Sequence, residues 1–172
     1  RIVNYTIPFQ PHSLTDFLRF GSGMQRFYFE SNQSPVAIAG LGIAAQISHN
    51  GSDRFANLGQ SLEDFFQHII CVNESDALPR PVLLGGGSFF DQTEHGVWAS
   101  FPQAVLTLPR YALIRVKGEF FFSVNQLSAE NESLADTSRR ARREAESLLA
   151  RLASTILPMP SIAAGLASDG EV

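Results

Sequence analysis

The stretch from Phe27 to Phe66, FYFESNQSPVAIAGLGIAAQISHNGSDRFANLGQSLEDFF, contains the strongest structural signals in the chain. It opens with a short aromatic strand that ends at Glu30. The apolar run from Val36 to Ile47 follows, and because nearly every residue in it is apolar, it predicts a central strand buried on both faces. A helix begins after Ser52 or Asp53, either of which can cap it. Strands and helices do not alternate strictly, which argues against a doubly wound sheet.

Periodicity extends this pattern along the whole chain. The helix after Asp53 has an apolar stripe at helical spacing, made of Phe55, Leu58, Leu62, Phe65, Phe66, Ile69 and Ile70. Further strands are predicted over Arg1–Phe9, Met24–Glu30, Val82–Phe90 and Trp98–Pro109, and further helices over Leu14–Phe20, which Ser13 can cap, and Asn131–Ala153. The last helix has a stripe of Leu134, Ala141, Ala145, Leu148, Leu149 and Leu152. The predicted fold class is α+β, a mostly antiparallel sheet packed with helices on the outside.

A hairpin over Tyr111–Val124 completes the predicted sheet. Lys117-Gly118 fits its two-residue turn, because glycine tolerates the positive φ that such turns need. This register places Val116 opposite Glu119 and Ile114 opposite Phe121.

Glycine and proline add constraints on the strands. Gly40 and Gly42 are expected to let a neighbouring backbone approach the central strand. Pro102 and Pro109 lack a backbone donor, so they are expected to confine their strand to an edge or to end it.

Composition bounds the class of protein. The 172 residues are 44% hydrophobic and 17% charged, as expected of a globular chain, and one domain is the default. A net charge of −4 gives no electrostatic reason to expect a nucleic-acid or anionic membrane partner, and no apolar run is long enough to span a bilayer. Cys71 is the only cysteine, predicted as a small buried hydrophobe at a helix end. A cytoplasmic location follows as the expectation.

Three blocks in order resemble one known family. They are Phe27–Phe66, the segment GGGSFFD at Gly85–Asp91, and the segment WASFPQAVLTLPR at Trp98–Arg110. Together they resemble the amino-terminal part of the isochorismate synthases, a branch of the chorismate-utilising enzymes. The resemblance implies one side of a sandwich in which two sheets pack face to face. It also implies an isomerase that converts chorismate to isochorismate with Mg²⁺, for menaquinone or siderophore biosynthesis.

The chain has no match to the residues that this family uses for catalysis. The family's base is a lysine on a strand, whereas the single lysine here, Lys117, falls in the hairpin turn. We therefore assign no catalytic, cofactor-binding or metal residues. Residues 1–157 are predicted to form a scaffold domain and residues 158–172 a linker towards a missing carboxy-terminal chorismate-binding domain, which would be the partner and would carry Mg²⁺. The fragment alone is predicted to be inactive.

Several residues have a functional interpretation and a simpler structural one. Gly85-Gly86-Gly87 lacks the lysine of a phosphate loop and is interpreted as structural, with Ser88-Phe89-Phe90 continuing the strand. Arg139, Arg140, Arg142 and Arg143 are interpreted as an ion-paired helix face, with Arg140 near Glu144 and Arg142 near Glu146. Asp64 and His68 are expected to form a surface pair, and His12, His49 and His95 show no ligand spacing. Glu30-Ser31 resembles a segment that binds tryptophan in anthranilate synthases, but a strand end and turn is the preferred interpretation.

Two alternative functions remain open. The chain could be the same region of an anthranilate, aminodeoxychorismate or salicylate synthase. It could also be a freestanding binding or interaction module, since its two main helices have complete apolar stripes.

Overall fold

The computed structural model describes residues 1–10, 13–72, 78–90 and 99–155, and the structural statements below concern these residues. In chain order the elements are β1 (Ile2–Pro8), α1 (Leu14–Phe20), β2 (Arg26–Phe29), β3 (Val36–His49), α2 (Arg54–Gln67), β4 (Ile69–Cys71), β5 (Leu84–Gly87), β6 (Ala104–Val116), β7 (Glu119–Leu127) and α3 (Leu134–Thr155). The strands form one sheet in the order β2-β3-β6-β7-β1-β4, with β5 also paired to β6. Only β1 and β4 are parallel among the described pairs, so the predicted α+β class with a mostly antiparallel sheet is confirmed.

Local chemistry sets the start of two helices. The Ser13 hydroxyl accepts a hydrogen bond from the Asp16 amide at 3.1 Å and so caps the start of α1. Both ends of α1 agree with the prediction. Ser133 accepts from the Asp136 amide in the same way, at 3.1 Å, immediately before α3. Asp53 occupies the cap position of α2, although its side chain makes no capping hydrogen bond.

The strand β6 is the centre of the sheet. It pairs with β3 along its whole length on one edge. Its other edge is shared by β5, which pairs with residues 104–107, and β7, which pairs with residues 111–116. We call these the β5 end and the β7 end of the sheet. The hairpin between β6 and β7 has the predicted register, with Ile114 opposite Phe121, and its turn at Lys117 and Gly118 has φ of 50° and 89°.

A proline stands in the middle of this central strand. The prediction that Pro109 confines its strand to an edge or ends it is wrong, because β6 continues past it. Pro109 lies between the β5 and β7 pairings, and its carbonyl accepts a hydrogen bond from Asn125 Nδ2 at 2.8 Å. Since the amide and carbonyl of a strand residue point the same way, the missing donor faces this gap rather than a ladder partner. The strand therefore tolerates the proline.

The Gly-Leu-Gly motif of β3 accommodates the same proline from the other side. A Cβ on Gly40 would lie 2.7 Å from Pro109 Cγ, so only glycine leaves room for the ring. Gly42 has a φ of +63° and its amide donates to the Gln25 carbonyl at 2.8 Å. The pairing with β6 then shifts register between Ile43 and Ala45. A close approach is confirmed at Gly40, although the approaching group is the proline ring and not the predicted backbone. At Gly42 a Cβ would make only an ordinary contact, 3.6 Å from Arg110 Cβ, so the predicted close approach there is wrong.

The main core lies between α1, α3 and one face of the sheet. Its fully buried members include Val3, Phe17, Leu41, Leu113, Phe122, Val124, Ala141, Ala145 and Leu152. Phe17 and Phe122 meet edge to face with ring centroids 6.0 Å apart. The predicted stripe of α3 is confirmed from Ala141 onward: Ala141, Ala145, Leu148 and Leu152 are buried and Leu149 is partly buried. Leu134, the first residue of the helix, is exposed.

The predicted helix stripe of α2 is too long. Ile69 and Ile70 leave the helix and form β4, because the neighbouring edge of β1 offers backbone partners. The Ile2 amide donates to the His68 carbonyl at 3.0 Å, which fixes the crossover. Cys71 is therefore an exposed residue of an edge strand and not the predicted buried hydrophobe.

The contact between Gly40 and Pro109 yields a stability prediction. Gly40→Ala should lower the free energy of unfolding by about 1–3 kcal/mol, because the new methyl group meets a rigid ring in a packed sheet. Gly59→Ala in α2 is the matched control, since a Cβ there has open space and alanine favours helix by up to about 1 kcal/mol. Urea unfolding followed by circular dichroism measures both, and equal effects of the two substitutions would contradict the packing argument.

Candidate functional site

The glycines of β5 bring three elements together at the β5 end of the sheet. A Cβ on Gly85 would lie 1.9 Å from the Val105 carbonyl oxygen, and one on Gly87 would lie 2.7 Å from the Phe55 ring. The structural interpretation is therefore confirmed for Gly85 and Gly87, whereas a Cβ on Gly86 would meet open space. The expectation that Ser88 continues the strand is wrong, because β5 ends at Gly87 and the chain turns away.

Arg54 holds this turn in place. Its side chain is buried, with only 2% of the residue exposed, at the first position of α2. Its Nη1 donates to the Gly51 carbonyl and its Nη2 to the Ser88 carbonyl, each at 2.9 Å. The Ser88 amide donates to the Gln103 carbonyl at 2.7 Å, so the residue after β5 is fixed from two sides.

Sequence reasoning did not identify Arg54. One signal was present, since a cation in the first turn of a helix is disfavoured by the helix dipole. Such a residue needs a specific compensating role, and its carbonyl partners provide one.

A surface of three phenylalanines projects from this fixed corner. Phe89 is 98% exposed, Phe90 77% and Phe101 61%. They border an apolar groove of about 460 Å³ between the end of β5 and the start of β6, and we call this region the phenylalanine surface. Large exposed aromatic side chains in contiguous groups mark interaction sites more often than single exposed ones do.

An ion-pair cluster joins α3 to the sheet at the residue that follows Pro109. Arg110 Nη2 donates to both Glu144 carboxylate oxygens, at 2.9 and 3.1 Å, and to Gln126 Oε1 at 3.1 Å. The Tyr111 hydroxyl also donates to Glu144. Burial and this hydrogen bond raise the pKa of Tyr111 above its ordinary value.

Of the four arginines predicted to be ion-paired on α3, Arg139, Arg140 and Arg142 are, but not all with the expected partners. Arg142 pairs with Glu146 at 3.0 Å, as predicted. Arg140 pairs with Glu132 before the helix, and the predicted pair with Glu144 is wrong because Glu144 faces the sheet. Hydrogen bonds from Arg140 and from the Ala129 amide lower the pKa of Glu132. Helical spacing alone could not identify a partner from a strand.

A buried polar group lies on the opposite face of the sheet from the main core. It consists of Asn4, Thr6, Ser123 and Asn125, each at most 2% exposed. Asn4 Nδ2 donates to Ser123 Oγ at 2.7 Å and to Asn125 Oδ1 at 2.8 Å. These residues bond to one another and to the Pro109 carbonyl, which is the arrangement of a structural network.

The other residues considered from the sequence make structural contacts. His49 Nε2 and Ser61 Oγ are 2.9 Å apart and join β3 to α2. His68 Nδ1 contacts the Asp64 main-chain carbonyl at 2.7 Å, not the carboxylate that a surface pair would use. Lys117 lies in the hairpin turn, as predicted. His12, His95 and the predicted linker lie outside the described residues.

The segment at Glu30 forms a strand end and a turn, as the preferred interpretation predicts. Glu30 accepts hydrogen bonds from the Tyr28 hydroxyl and from Arg115, and these two bonds lower its pKa. The Ser31 hydroxyl accepts from the Gln33 amide at 3.2 Å within a turn. The strand end and turn are confirmed.

The described part of the chain lacks a metal-binding group and a membrane-spanning helix. It contains no group of three or more His, Cys, Asp or Glu side chains that could hold a metal ion. These residues therefore do not fit a Mg²⁺ site of their own. Among the same residues, no helix has both the length and the apolarity needed to cross a membrane.

The described residues thus form a sheet scaffold with an exposed apolar surface. The family model described as chorismate binding enzyme matches residues 1–164, so the chain belongs to the chorismate-binding enzyme family. Among solved structures, it is similar to MenF, the menaquinone-specific isochorismate synthase from Escherichia coli, with 19% identity and a TM-score of 0.50. The match covers 93% of this chain and 31% of that one. No curated protein matches the sequence.

The contact between Arg110 and Glu144 generates a second stability prediction. Glu144→Gln should lower the free energy of unfolding by about 1–3 kcal/mol, because it leaves a half-buried guanidinium and a tyrosine hydroxyl with a weaker acceptor. Glu146→Gln is the matched control on the same helix, where an exposed pair is worth about 0.3–0.5 kcal/mol. Thermal unfolding of both variants measures the difference, and a Glu146→Gln effect as large as that of Glu144→Gln would refute the assignment.

Proposed function

We propose that this chain is the amino-terminal, non-catalytic portion of an isochorismate synthase. The parent protein would be a cytoplasmic isomerase that converts chorismate to isochorismate for menaquinone or siderophore biosynthesis. The observation that carries the proposal is the family match over residues 1–164 in a chain that spans only 31% of the similar isochorismate synthase.

The described side chains support a scaffold role for this portion. Two of its ion pairs fix one element to another: Arg110 and Glu144 fix α3 to the sheet, and Arg115 joins β6 to Glu30 at the end of β2. Arg54 likewise binds main-chain carbonyls rather than lining a polar cavity. General acid–base chemistry needs a titratable group that can reach a substrate, and these groups face the protein itself.

The chemistry would therefore come from the carboxy-terminal chorismate-binding domain. Adding water at one ring carbon of chorismate and removing the hydroxyl from another requires a base and an acid. Mg²⁺ in such an enzyme would neutralise the substrate carboxylate, and its ligands would lie outside the described residues. This chain would contribute the sheet against which that domain folds.

The segment at Glu30 helps to distinguish an isochorismate synthase from a regulated anthranilate synthase. An anthranilate synthase of the regulated type would use the segment at Glu30 for an amino acid. Here only Glu30 and Ser31 match that segment, which favours the isochorismate branch over the regulated one.

A comparison of the parent protein with this chain tests the proposal. The full-length polypeptide should convert chorismate to isochorismate in the presence of Mg²⁺, and the 172-residue chain should show no turnover above the buffer rate. Product separation by liquid chromatography identifies isochorismate, salicylate and anthranilate in one assay. Turnover by the chain alone, or a parent that yields only another product, would overturn the proposal.

A further inference from the structure

We propose that the outer edge of β2 is a contact between two copies of this chain, in which the two β2 strands pair antiparallel about a two-fold axis at Tyr28. Strand pairing of this kind extends a sheet across a subunit boundary through main-chain hydrogen bonds. The contact is independent of the proposed function, because it concerns how copies associate and not what the parent converts.

The main-chain groups on the outer edge of β2 have no partner in the described structure. β2 is the terminal strand of the sheet and pairs only with β3. The Gly42 amide donates to the Gln25 carbonyl, immediately before the first pair of the two strands. Because hydrogen-bonded and non-bonded pairs alternate along an antiparallel ladder, the amides and carbonyls of Arg26 and Tyr28 point away from β3.

The side chains along this edge are open to solvent. Tyr28 is 48% exposed and Phe29 is 45% exposed. Arg26 is also exposed, and it makes no hydrogen bond or ion pair with another residue that the structure describes. An exposed edge strand with outward amides and carbonyls is a template for another strand. The edge is therefore accessible to a partner.

The sequence of this edge is complementary to itself. In an antiparallel pair centred on Tyr28, Arg26 lies directly opposite the partner's Glu30, and Phe27 lies opposite the partner's Phe29. The same register brings the outward main-chain groups of the two strands together, and the two-fold axis repeats the ion pair on its other side. Registers centred on Arg26 or on Glu30 would place like charges opposite each other, which is unfavourable.

Glu30 can accept the partner's arginine while it keeps its own contacts. Its carboxylate accepts hydrogen bonds from the Tyr28 hydroxyl and from Arg115, and these bonds fix its position at the edge. An ionised carboxylate has about four acceptor sites, and the Glu30 side chain is still 39% exposed. It is therefore held in place and open to a second cation.

The other free edges of the sheet lack this complementarity. Among the described strands, β4 and β5 also pair on one side only, but neither has a charged side chain that could set a register. Opposite charges at the two ends of one edge strand match a strand of the same sequence running in the opposite direction, which is a second copy. A pairing over residues 26–30 is expected to bury less than the about 800 Å² per partner of a standard interface, so the dimer should be weak and concentration-dependent.

Charge reversal tests the register. Arg26→Glu and Glu30→Arg each place like charges opposite each other in a dimer of that variant, and each should weaken self-association at least about tenfold in sedimentation equilibrium. An equimolar mixture of the two variants places glutamate opposite arginine at both sites, and it should recover the association of the unmodified chain. Arg143→Glu is the control for net charge, because this exposed residue lies on α3, which packs against β1 and β7.

Two results of this experiment would overturn the proposal. One is a mixture that associates no better than the single variants, although all of them keep the melting temperature of a folded chain. The other is an unmodified chain that stays monomeric up to roughly millimolar concentration. An effect of Arg143→Glu as large as that of Arg26→Glu would also contradict it, because net charge alone would then explain the loss.

Disulfide trapping tests the position of the two-fold axis. In a Cys71→Ser background, Tyr28→Cys places two thiols directly opposite each other, at a Cα separation of about 5.5 Å that suits a disulfide. Met24→Cys is the control, since Met24 is 46% exposed but lies four positions from the axis, which separates its two copies by on the order of 25 Å. Oxidation should yield at least about tenfold more covalent dimer at position 28, and equal yields would refute the axis.

The same trapping in the full-length parent distinguishes a second copy from another occupant. A dimer cross-linked at position 28 of the parent supports the contact whether or not the parent makes isochorismate. Cross-linking in the 172-residue chain but not in the parent would overturn it, because the edge would then be covered by the rest of the polypeptide. A parent that is active and monomeric leaves the proposed function standing and rejects the dimer alone.

Discussion

The central strand β6 has to pair along both edges although a proline stands at its middle. The rest of the structure follows from how the chain solves this problem. Gly40 leaves space for the Pro109 ring, Gly42 adopts a positive φ, and Asn125 binds the carbonyl that a ladder partner would otherwise use. The space at Gly40 and the bond from Asn125 both stabilise the sheet, because an overlapping methyl group or an unpaired buried carbonyl would destabilise it.

Pro109 separates the β5 end of the sheet from the β7 end. Beyond Pro109 towards the hairpin, β6 pairs with β7, and α1 and α3 cover one face with a closed apolar core. Towards the chain start of β6, its partner is the glycine strand β5, and the apolar side chains there remain exposed. The first end also has exposed apolar side chains, those of Tyr28 and Phe29 on β2, beside the part of β3 that lies opposite the β7 end of β6.

Features set by neighbours in sequence could be predicted, and features set by distant residues could not. The cap at Ser13 and the turn at Lys117-Gly118 depend on local geometry, so α1 and the hairpin register were predicted correctly. Ile69 and Ile70 continue a helical pattern, but the edge of β1 lies 60 or more residues away and captures them as β4. Helical spacing predicts a partner for Glu144 on its own helix, but Arg110, which binds it, comes from a strand.

The candidate site shows the same division. The glycines of β5 were correctly interpreted as structural, because no lysine follows them. Arg54 was missed, since its role depends on carbonyls from Gly51 and Ser88 that meet only in the folded chain. The exposure of Phe89 was also unpredictable, because aromatic residues in an apolar pattern predict burial and only the turn after Gly87 directs them outward.

Native-state hydrogen exchange of the 172-residue chain tests most directly whether the two ends differ as described. Amides of β7 and of the β7 end of β6, such as those of Leu113 and Phe122, should exchange only through global unfolding. Amides of α2 and β5 should exchange through smaller openings, with a free energy at least about 2 kcal/mol lower. Uniform protection from α2 to β7 would contradict the account, because the β5 end would then be as complete as the core.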